Sequence, residues 1–263
     1  MSLKTFALAA ALAVGFSASA HSADVKTVRL GVVAGPDQQV WEFLVPKAEA
    51  KGLKLDIVEF SDYQPVNEAL NAGELDANAF QHQPYLDSQI AANGYKLVTV
   101  GFTYVAPIGF FSSKYKAWAD LPQGATIAIP NDPTNGGRAL LLLQSNGDIK
   151  LKDGVGLLPS VADITENKKE FKFLEVDAAT TASALADVDA AAVNNNYAAV
   201  NKLDLAKDAI LRESKDSPYA NIIVVQEKDK DAAWAKALVE LYQTPETAAF
   251  IEKNYGGSTF PAW

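Results

Sequence analysis

Cysteine is absent from this 263-residue sequence. The chain therefore cannot form disulfides, thiolate metal sites or a cysteine nucleophile, and it offers no cysteine for lipid attachment. Its formal net charge is −9 and its basic residues are scattered, so nucleic acid and anionic membrane surfaces are not expected partners. Beyond the first twenty or so residues, no apolar run approaches the roughly 18 residues that a spanning helix needs. These absences predict a mature protein that is free and soluble.

The N-terminus has the pattern of a secretory signal. Lys4 supplies a positive charge, residues 6–16 are apolar, and Ala18-Ser19-Ala20 matches a cleavage site, with a second possible site after Ala23. The alternative is a buried N-terminal helix. We interpret residues 1–23 as a signal peptide and predict export to a bacterial periplasm.

Strand and helix patterns alternate from residue 25 onward. Strands are predicted at 25–33, 53–59, 75–79 and 96–100 with helices between them, the order typical of a mostly parallel sheet. The apolar segment 104–112 contains Pro107 and Gly109, which suit a crossing segment better than a central strand.

The pattern then restarts. Strands are predicted at 126–129, 171–176 and 189–193, and helices at 114–121, 138–145 and 178–185. Residues 222–225 are a candidate second crossing, and helices at 229–242 and 244–254 would return to the first block. This predicts an α/β protein with two lobes, residues 24–109 with 222–263 and residues 110–221, around a cleft that closes on a ligand.

The stretch from Gly73 to Tyr85 predicts part of that cleft. A short strand leads into a polar and aromatic loop, and a helix is predicted to begin at Pro84. Phe80, His82 and Tyr85 thus lie where a strand ends and a helix begins, which is where open α/β sheets bind small ligands. An ordinary loop whose aromatic rings pack into the core fits the same pattern.

Polar residues in the second block have a similar position. Arg138 follows Asn-Gly-Gly at a predicted helix start, where a cation opposes the helix dipole and an anion would compensate for it. Asn194, Asn195 and Asn196 end a predicted strand, and Asn221 adjoins the second crossing. Amides can donate to a carboxylate and accept from an amino group. A solvated arginine and polar turns remain the alternatives.

The sequence contains no motif for phosphate binding, hydrolysis or metal binding. No Walker lysine or G-x-G-x-x-G follows the glycines at 136–137, G-x-S-x-G is absent, and the histidines and carboxylates have no metal-ligand spacing. We therefore expect neither a metal nor a cofactor, and no enzymatic activity.

Four motifs in order resemble the methionine-binding proteins of ABC transporters, the NlpA lipoprotein family. They lie at 71–86, 130–140, 193–198 and 217–224, and the resemblance extends to the closing residues 256–263. It implies a type II-like periplasmic-binding-protein fold, a monomer that captures methionine, and a permease–ATPase complex as partner. It also implies that the ligand-binding residues are Tyr63, Phe80, His82, Tyr85, Arg138, Asn194 and Asn221, with Asn196 as an addition.

Within that resemblance Arg138 would pair with the ligand carboxylate and the asparagines would hold its polar end, while the aromatic rings would surround the thioether. Family members are commonly lipoproteins, and the missing cysteine predicts a freely diffusing periplasmic protein instead. Two alternatives stay open. The same fold could bind another amino acid or a methionine-containing dipeptide, or it could be an exported enzyme with His82 as base.

Overall fold

The computed structural model describes residues 25–263, and the predicted signal peptide lies outside them. The described strands are β1 Lys26–Val33, β2 Leu53–Phe60, β3 Ala77–Asn78, β4 Leu97–Val105, β5 Gly109–Phe111, β6 Thr126–Pro130, β7 Ile149–Leu151, β8 Ile164–Asn167, β9 Lys172–Val176, β10 Ala190–Val193, β11 Leu211–Arg212, β12 Ala220–Gln226 and β13 Phe260–Pro261. The described helices are α1 Pro36–Ala48, α2 Gln64–Ala72, α3 Gln83–Asn93, α4 Pro133–Ser145, α5 Asn195–Val200, α6 Ala233–Tyr242 and α7 Pro245–Tyr255. The α/β class predicted from the sequence is confirmed.

Two sheets contain most of these strands. The first has the order β13-β4-β12-β3-β1-β2, and the second has the order β11-β5-β10-β6-β9. In the first sheet β1 is parallel to β2 and β3, and the apolar residues of β1 are fully buried because helices cover the sheet. The chain passes from the first sheet to the second through residues 106–108 and returns through 213–219.

Buried side chains join the two sheets. One apolar cluster contains Val33 and Leu70 beside the first sheet together with Ala128 and Val193 of the second. Separate clusters lie on the outer side of each sheet, where Trp41 of α1 packs against Tyr242 of α6 with ring centroids 4.8 Å apart. The space between the sheets is therefore largely filled, and the polar residues within it stand out.

Residues 222–225, expected to cross between lobes, instead belong to the middle of the first sheet. Strand β12 runs antiparallel to both β3 and β4, and these four residues are fully buried. A short run of β-branched residues is consistent with a central strand as well as with a connection, because periodicity cannot distinguish them. The chain crosses between the sheets at residues 106–108 and 213–219 and not along this strand.

The start of α4 also differs from the prediction. The helix begins at Pro133, with Asp132 as its N-cap, so the glycines at 136–137 and Arg138 are inside the helix and not before it. The carboxylate of Asp132 accepts the backbone N–H of Asn135 at 2.9 Å. Arg138 therefore does not lie at the positive end of the helix dipole. The prediction that an anion compensates for that dipole beside Arg138 is wrong.

Two predicted helices are absent from the described chain. Residues 114–121 contain only the 3₁₀ turn Trp118–Asp120, and residues 178–185 contain the turns Ala178–Thr180 and Ser183–Ala186. Both segments are short and held by side-chain bonds to neighbouring backbone, which competes with helix formation. Between residues 25 and 263 no helix is both long and apolar enough to cross a membrane.

The close approach of α4 to β6 predicts the effect of Gly136→Ala. An added Cβ would lie 2.5 Å from the backbone oxygen of Pro130. Alanine favours a helix over glycine by about 1 kcal/mol, but overpacking costs about 1–3 kcal/mol. We expect a net loss in the free energy of unfolding, measured by urea denaturation. Ser145→Ala on the exposed end of α4 is the control and should change stability little; a gain in Gly136→Ala would contradict the contact.

Candidate functional site

A cavity lies between the two sheets, where strand ends and helix starts face each other. All of the residues that the sequence nominated contribute to its wall: Tyr63, Phe80, His82, Tyr85, Arg138, Asn194, Asn196 and Asn221. The structure therefore brings together residues from both sheets that are up to 158 positions apart in the sequence, from Tyr63 to Asn221. Their role in binding a ligand stays a prediction.

Aromatic rings form one side of the cavity. The ring of Tyr63 lies 5.8 Å from that of Phe80 and 5.9 Å from that of Tyr85, in tilted and edge-on arrangements. The ring of Tyr197 in α5 is tilted against it at 4.9 Å. These rings are buried, and burial raises the pKa of the Tyr63 and Tyr85 hydroxyls. The wall is apolar, polarisable and uncharged at neutral pH.

His82 is a neutral hydrogen-bond donor in this wall. As the N-cap of α3 it accepts the backbone N–H of Tyr85 on Nδ1 at 3.1 Å. Burial, reinforced by the positive charge of Arg138, lowers the pKa of His82 to about 3. The proton of the neutral ring must then be on Nε2, which donates to Oδ1 of Asn135 at 3.2 Å.

Asp132 determines the direction of the hydrogen bonds beyond His82. Its carboxylate can only accept, so Asn135 must donate to it through Nδ2, at 2.9 Å. Oδ1 of Asn135 is then an acceptor, and it receives both His82 Nε2 and Nδ2 of Asn194, the latter at 2.7 Å. Oδ1 of Asn194 is left buried and without a partner among the described residues. The cavity thus presents a free acceptor at this point.

Asn196 presents the opposite group. Its Oδ1 accepts the hydroxyl of Tyr63 at 2.5 Å, a bond between elements of the two sheets, and its Nδ2 is buried with no partner in the part of the chain that the structure describes. A second bond between the sheets runs from Asn195 Nδ2 to the hydroxyl of Thr259 at 3.0 Å. These bonds connect the two halves beside a cavity whose amide side chains offer, among residues 25–263, one free donor and one free acceptor.

Arg138 supplies a buried cation that is partly engaged. Its Nε lies 3.1 Å from both carboxylate oxygens of Glu213, its Nη2 donates to the carbonyl of Ala106 at 2.9 Å, and Tyr219 lies under the guanidinium at 4.3 Å. Among residues 25–263 no hydrogen bond uses Nη1. Ala106 belongs to the first connection between the sheets, and Glu213 and Tyr219 belong to the second. Arg138 therefore links the cavity to both connections.

Asp37 adds a buried carboxylate to the wall. It lies in the first turn of α1 and is 3% exposed. Tyr104 and Asn221 are within hydrogen-bonding reach, and burial raises the pKa of Asp37 to about 7 despite those bonds. The helix start can approach the second sheet because Gly35 has a φ of 114° and a side chain there would press on the backbone of Asn196.

Sequence reasoning missed Asp37, Asn135 and Glu213. Asn135 was recoverable, because an Asp-Pro pair is a helix-start signal and a start at Pro133 places residues 135 and 138 on one face. Asp37 has the ordinary pattern of an acid in a first helical turn. Glu213 lies 75 positions from its partner, and nothing local to its sequence indicates the pair. Within the described chain no group of three acidic, histidine or cysteine residues could hold a metal.

Comparison with known proteins gives a consistent result. The family model for the NlpA lipoproteins matches residues 28–263. The D-methionine-binding lipoprotein MetQ of Escherichia coli K12 is 46% identical over 266 residues, covering 99% of this chain and 98% of that protein, and its Salmonella typhimurium counterpart matches equally. The chain belongs to the NlpA lipoprotein family.

Solved structures extend the likeness to three dimensions. A nutrient-binding protein from Burkholderia cenocepacia bound to methionine is 52% identical, with a TM-score of 0.87 over 90% of this chain and 100% of that one. A crystal structure of the methionine-binding protein MetQ is 47% identical, also with a TM-score of 0.87, and the match covers 90% of this chain and 98% of that one. The predicted two-lobed periplasmic-binding fold and the family resemblance are confirmed for this NlpA-family protein.

One prediction is wrong. The sequence predicted a periplasmic protein that is soluble after signal cleavage and has no lipid anchor, but the family and the relatives in E. coli and Salmonella are lipoproteins by name. That prediction rested on the absence of cysteine from the chain.

The fixed ring of His82 predicts its NMR behaviour. Because its pKa is lowered to about 3, the imidazole should stay neutral, with the proton on Nε2, from pH 5 to pH 8. In urea it should titrate near pH 6.5. Its lowered pKa therefore removes stability as pH falls below about 6.5, since only the unfolded chain takes up the proton. Imidazole ¹⁵N spectra, assigned with His82→Gln, measure both states; titration of the folded protein near pH 6.5 would contradict the arrangement.

Proposed function

We propose that this chain is the methionine-binding component of an ABC importer. The observation that carries the proposal is the composition of the cavity wall, which pairs an uncharged aromatic side with a buried arginine, a buried carboxylate and two amide groups that have no partner among residues 25–263. An amino acid with an apolar side chain has the complementary groups. The named relatives are methionine-binding, and one neighbouring structure holds methionine.

Arg138 is the proposed partner of the ligand carboxylate. Its Nη1 is the guanidinium nitrogen that the described residues leave unused, and Glu213 holds the rest of the group in place. A buried carboxylate without a cation costs several kcal/mol, so this pairing is a requirement for enclosing the ligand. Asn196 Nδ2 can donate to the same ligand.

The aromatic wall is the proposed thioether pocket. Sulfur against an aromatic ring contributes roughly 0.3–1.5 kcal/mol, and Tyr63, Phe80 and Tyr85 offer both faces and edges. His82 acts as a fixed donor in this wall and not as a base, because its lone pair on Nδ1 is occupied by the backbone of Tyr85. This argues against enzymatic use of the site, and neither a cofactor nor a metal is part of the proposal.

The lobes are proposed to follow the sheets. The sequence predicted lobe 1 as residues 24–109 with 222–263 and lobe 2 as residues 110–221. Strand pairing moves these proposed bounds to residues 25–105 with 220–263 for lobe 1 and residues 109–212 for lobe 2. The connections at 106–108 and 213–219 would act as the hinge. The loaded, closed monomer is the form that we propose to deliver its ligand to a permease–ATPase complex.

A thermal-shift panel tests the ligand. Protein is unfolded, dialysed and refolded, then mixed with L-methionine, D-methionine, the other amino acids or Gly-Met. A ligand at about 1,000 times its dissociation constant adds roughly 4 kcal/mol of stability. A rise in Tm with methionine supports the proposal. A rise only with another compound keeps the fold and replaces the ligand, and turnover of any compound would contradict a pure binding role.

Arg138→Ala should weaken methionine binding by at least about a hundredfold, because the buried carboxylate loses its cation and Glu213 becomes unpaired. Arg138→Lys keeps the charge without the planar fork and should bind at an intermediate level. Calorimetric titration measures both. Arg212→Ala is the matched control, because Arg212 is exposed and outside the cavity. Equal binding by Arg138→Ala and the parent would refute the assignment.

Tyr63→Phe separates the ring from the hydroxyl. The variant keeps the aromatic wall but removes the bond to Asn196 that joins the two sheets. We expect about five- to tenfold weaker methionine binding, the range of one hydrogen bond worth about 1 kcal/mol, with a faster dissociation rate by stopped-flow fluorescence. An unchanged dissociation rate would show that this bond does not hold the lobes closed.

A further inference from the structure

Asp37 is a cavity residue whose carboxylate has no oppositely charged partner among the described residues. It is 3% exposed and lines the cavity, and the groups that bond to it, Tyr104 and Asn221, are neutral. Arg138 is engaged by Glu213. A buried carboxylate with neutral partners alone is destabilising, because ionised groups lose their hydration. Its presence in a binding cavity points to a cation that arrives with the ligand.

We propose that Asp37 receives the ammonium group of the ligand and that it gives up a proton to solvent when the ligand binds. This inference rests on the proposed function, since it assigns the second charge of the same amino acid. Oδ1 of Asn194 is a second acceptor with no partner in the described chain. Together with Arg138 these residues would separate the two charges of a zwitterion across the cavity.

The surroundings of Asp37 make it the group that titrates. Four tyrosines from different parts of the chain lie close enough to interact electrostatically with it: Tyr63 before α2, Tyr104 on β4, Tyr242 on α6 and Tyr255 on α7. Burial raises the pKa of each of these hydroxyls, to about 12 for Tyr255, so none is charged below pH 8. His82, elsewhere on the wall, stays neutral because its pKa is lowered to about 3.

The direction of the pH effect follows. With the pKa of Asp37 at about 7, the free protein holds a proton there at pH 6 and has lost it at pH 8. An ammonium beside the carboxylate lowers that pKa, so binding releases the proton. Affinity should therefore rise with pH, by up to about 30-fold between pH 5.5 and pH 8. The same raised pKa costs the free protein stability as pH increases from about 4 to 7.

Calorimetry on the parent protein tests this without any substitution. L-methionine is titrated at pH 5.5, 6, 7 and 8 in buffers of different ionisation enthalpy, which gives the number of protons released. We expect about 0.9 proton at pH 6 and about 0.1 at pH 8. Binding that is equally tight across this range, with no proton release, overturns the inference while leaving methionine binding intact. No binding at any pH would instead refute the proposed function.

Asp37→Asn identifies the residue. The variant keeps the shape and removes the charge, so methionine binding should weaken at least 30-fold at pH 8 and lose its pH dependence. Its free form should be at least as stable as the parent at pH 8, which separates a binding defect from misfolding. Asp62→Asn is the matched control, because Asp62 precedes α2 outside the cavity wall and should change neither property.

A ligand analogue without an ammonium group tests whether Asp37 interacts with that group. In 2-hydroxy-4-(methylthio)butanoate a hydroxyl replaces the ammonium, while the carboxylate and thioether remain. The parent at pH 8 should bind it at least about 100-fold more weakly than methionine, and Asp37→Asn should reduce that ratio below about 10. The same ratio in both proteins would show that Asp37 and the ammonium do not interact.

Discussion

The guanidinium of Arg138 is the group on which the arrangement of the site depends. It contacts Ala106 in one connection between the sheets and Glu213 and Tyr219 in the other, and it borders the cavity. Burying this cation would be strongly unfavourable without the bidentate carboxylate beside it. A ligand carboxylate that binds Nη1 would therefore bind a guanidinium that is already held by both connections between the sheets. In the proposed function, ligand capture and hinge geometry would share this one side chain.

A second constraint determines which groups of the polar wall donate hydrogen bonds and which accept them. The Asp132 carboxylate caps α4 and forces Asn135 to donate to it, which makes the other end of Asn135 an acceptor for His82 and Asn194. The result is a rigid set of amides whose remaining donors and acceptors are determined before a ligand enters. Pre-organisation of this kind reduces the entropy lost on binding and favours one orientation of a zwitterion.

Much of this site was predictable from the sequence, for a physical reason. Phe80, His82, Tyr85 and Asn194 lie where a strand ends and a helix begins, and α/β sheets place such positions around one crevice. Local patterns failed where tertiary pairing decides the outcome. Strand β12 lies inside the first sheet although its sequence also fits a connection, and the segments 114–121 and 178–185, predicted as helices, form only 3₁₀ turns. The predicted start of α4 is wrong because the glycines at 136–137 suggest a loop, whereas Asp132 and Pro133 carry the actual start signal.

Charge pairing was beyond sequence reasoning. Glu213 is indistinguishable from a solvated acid until the fold brings it to Arg138, and Asp37 has the pattern of an ordinary first-turn acid until its burial is known. In the proposed site, Glu213 would position Arg138 for the carboxylate of the ligand, and Asp37 would be the partner of its ammonium group.

The most direct test is a crystal structure of the protein refolded in the presence of L-methionine. The account predicts the ligand in the cavity between the sheets, with its carboxylate about 3 Å from Nη1 of Arg138. Its ammonium should face Asp37 and Asn194, and its thioether should lie among the rings of Tyr63, Phe80 and Tyr85. A ligand whose carboxylate lies away from Arg138, or that binds outside this cavity, would contradict the account.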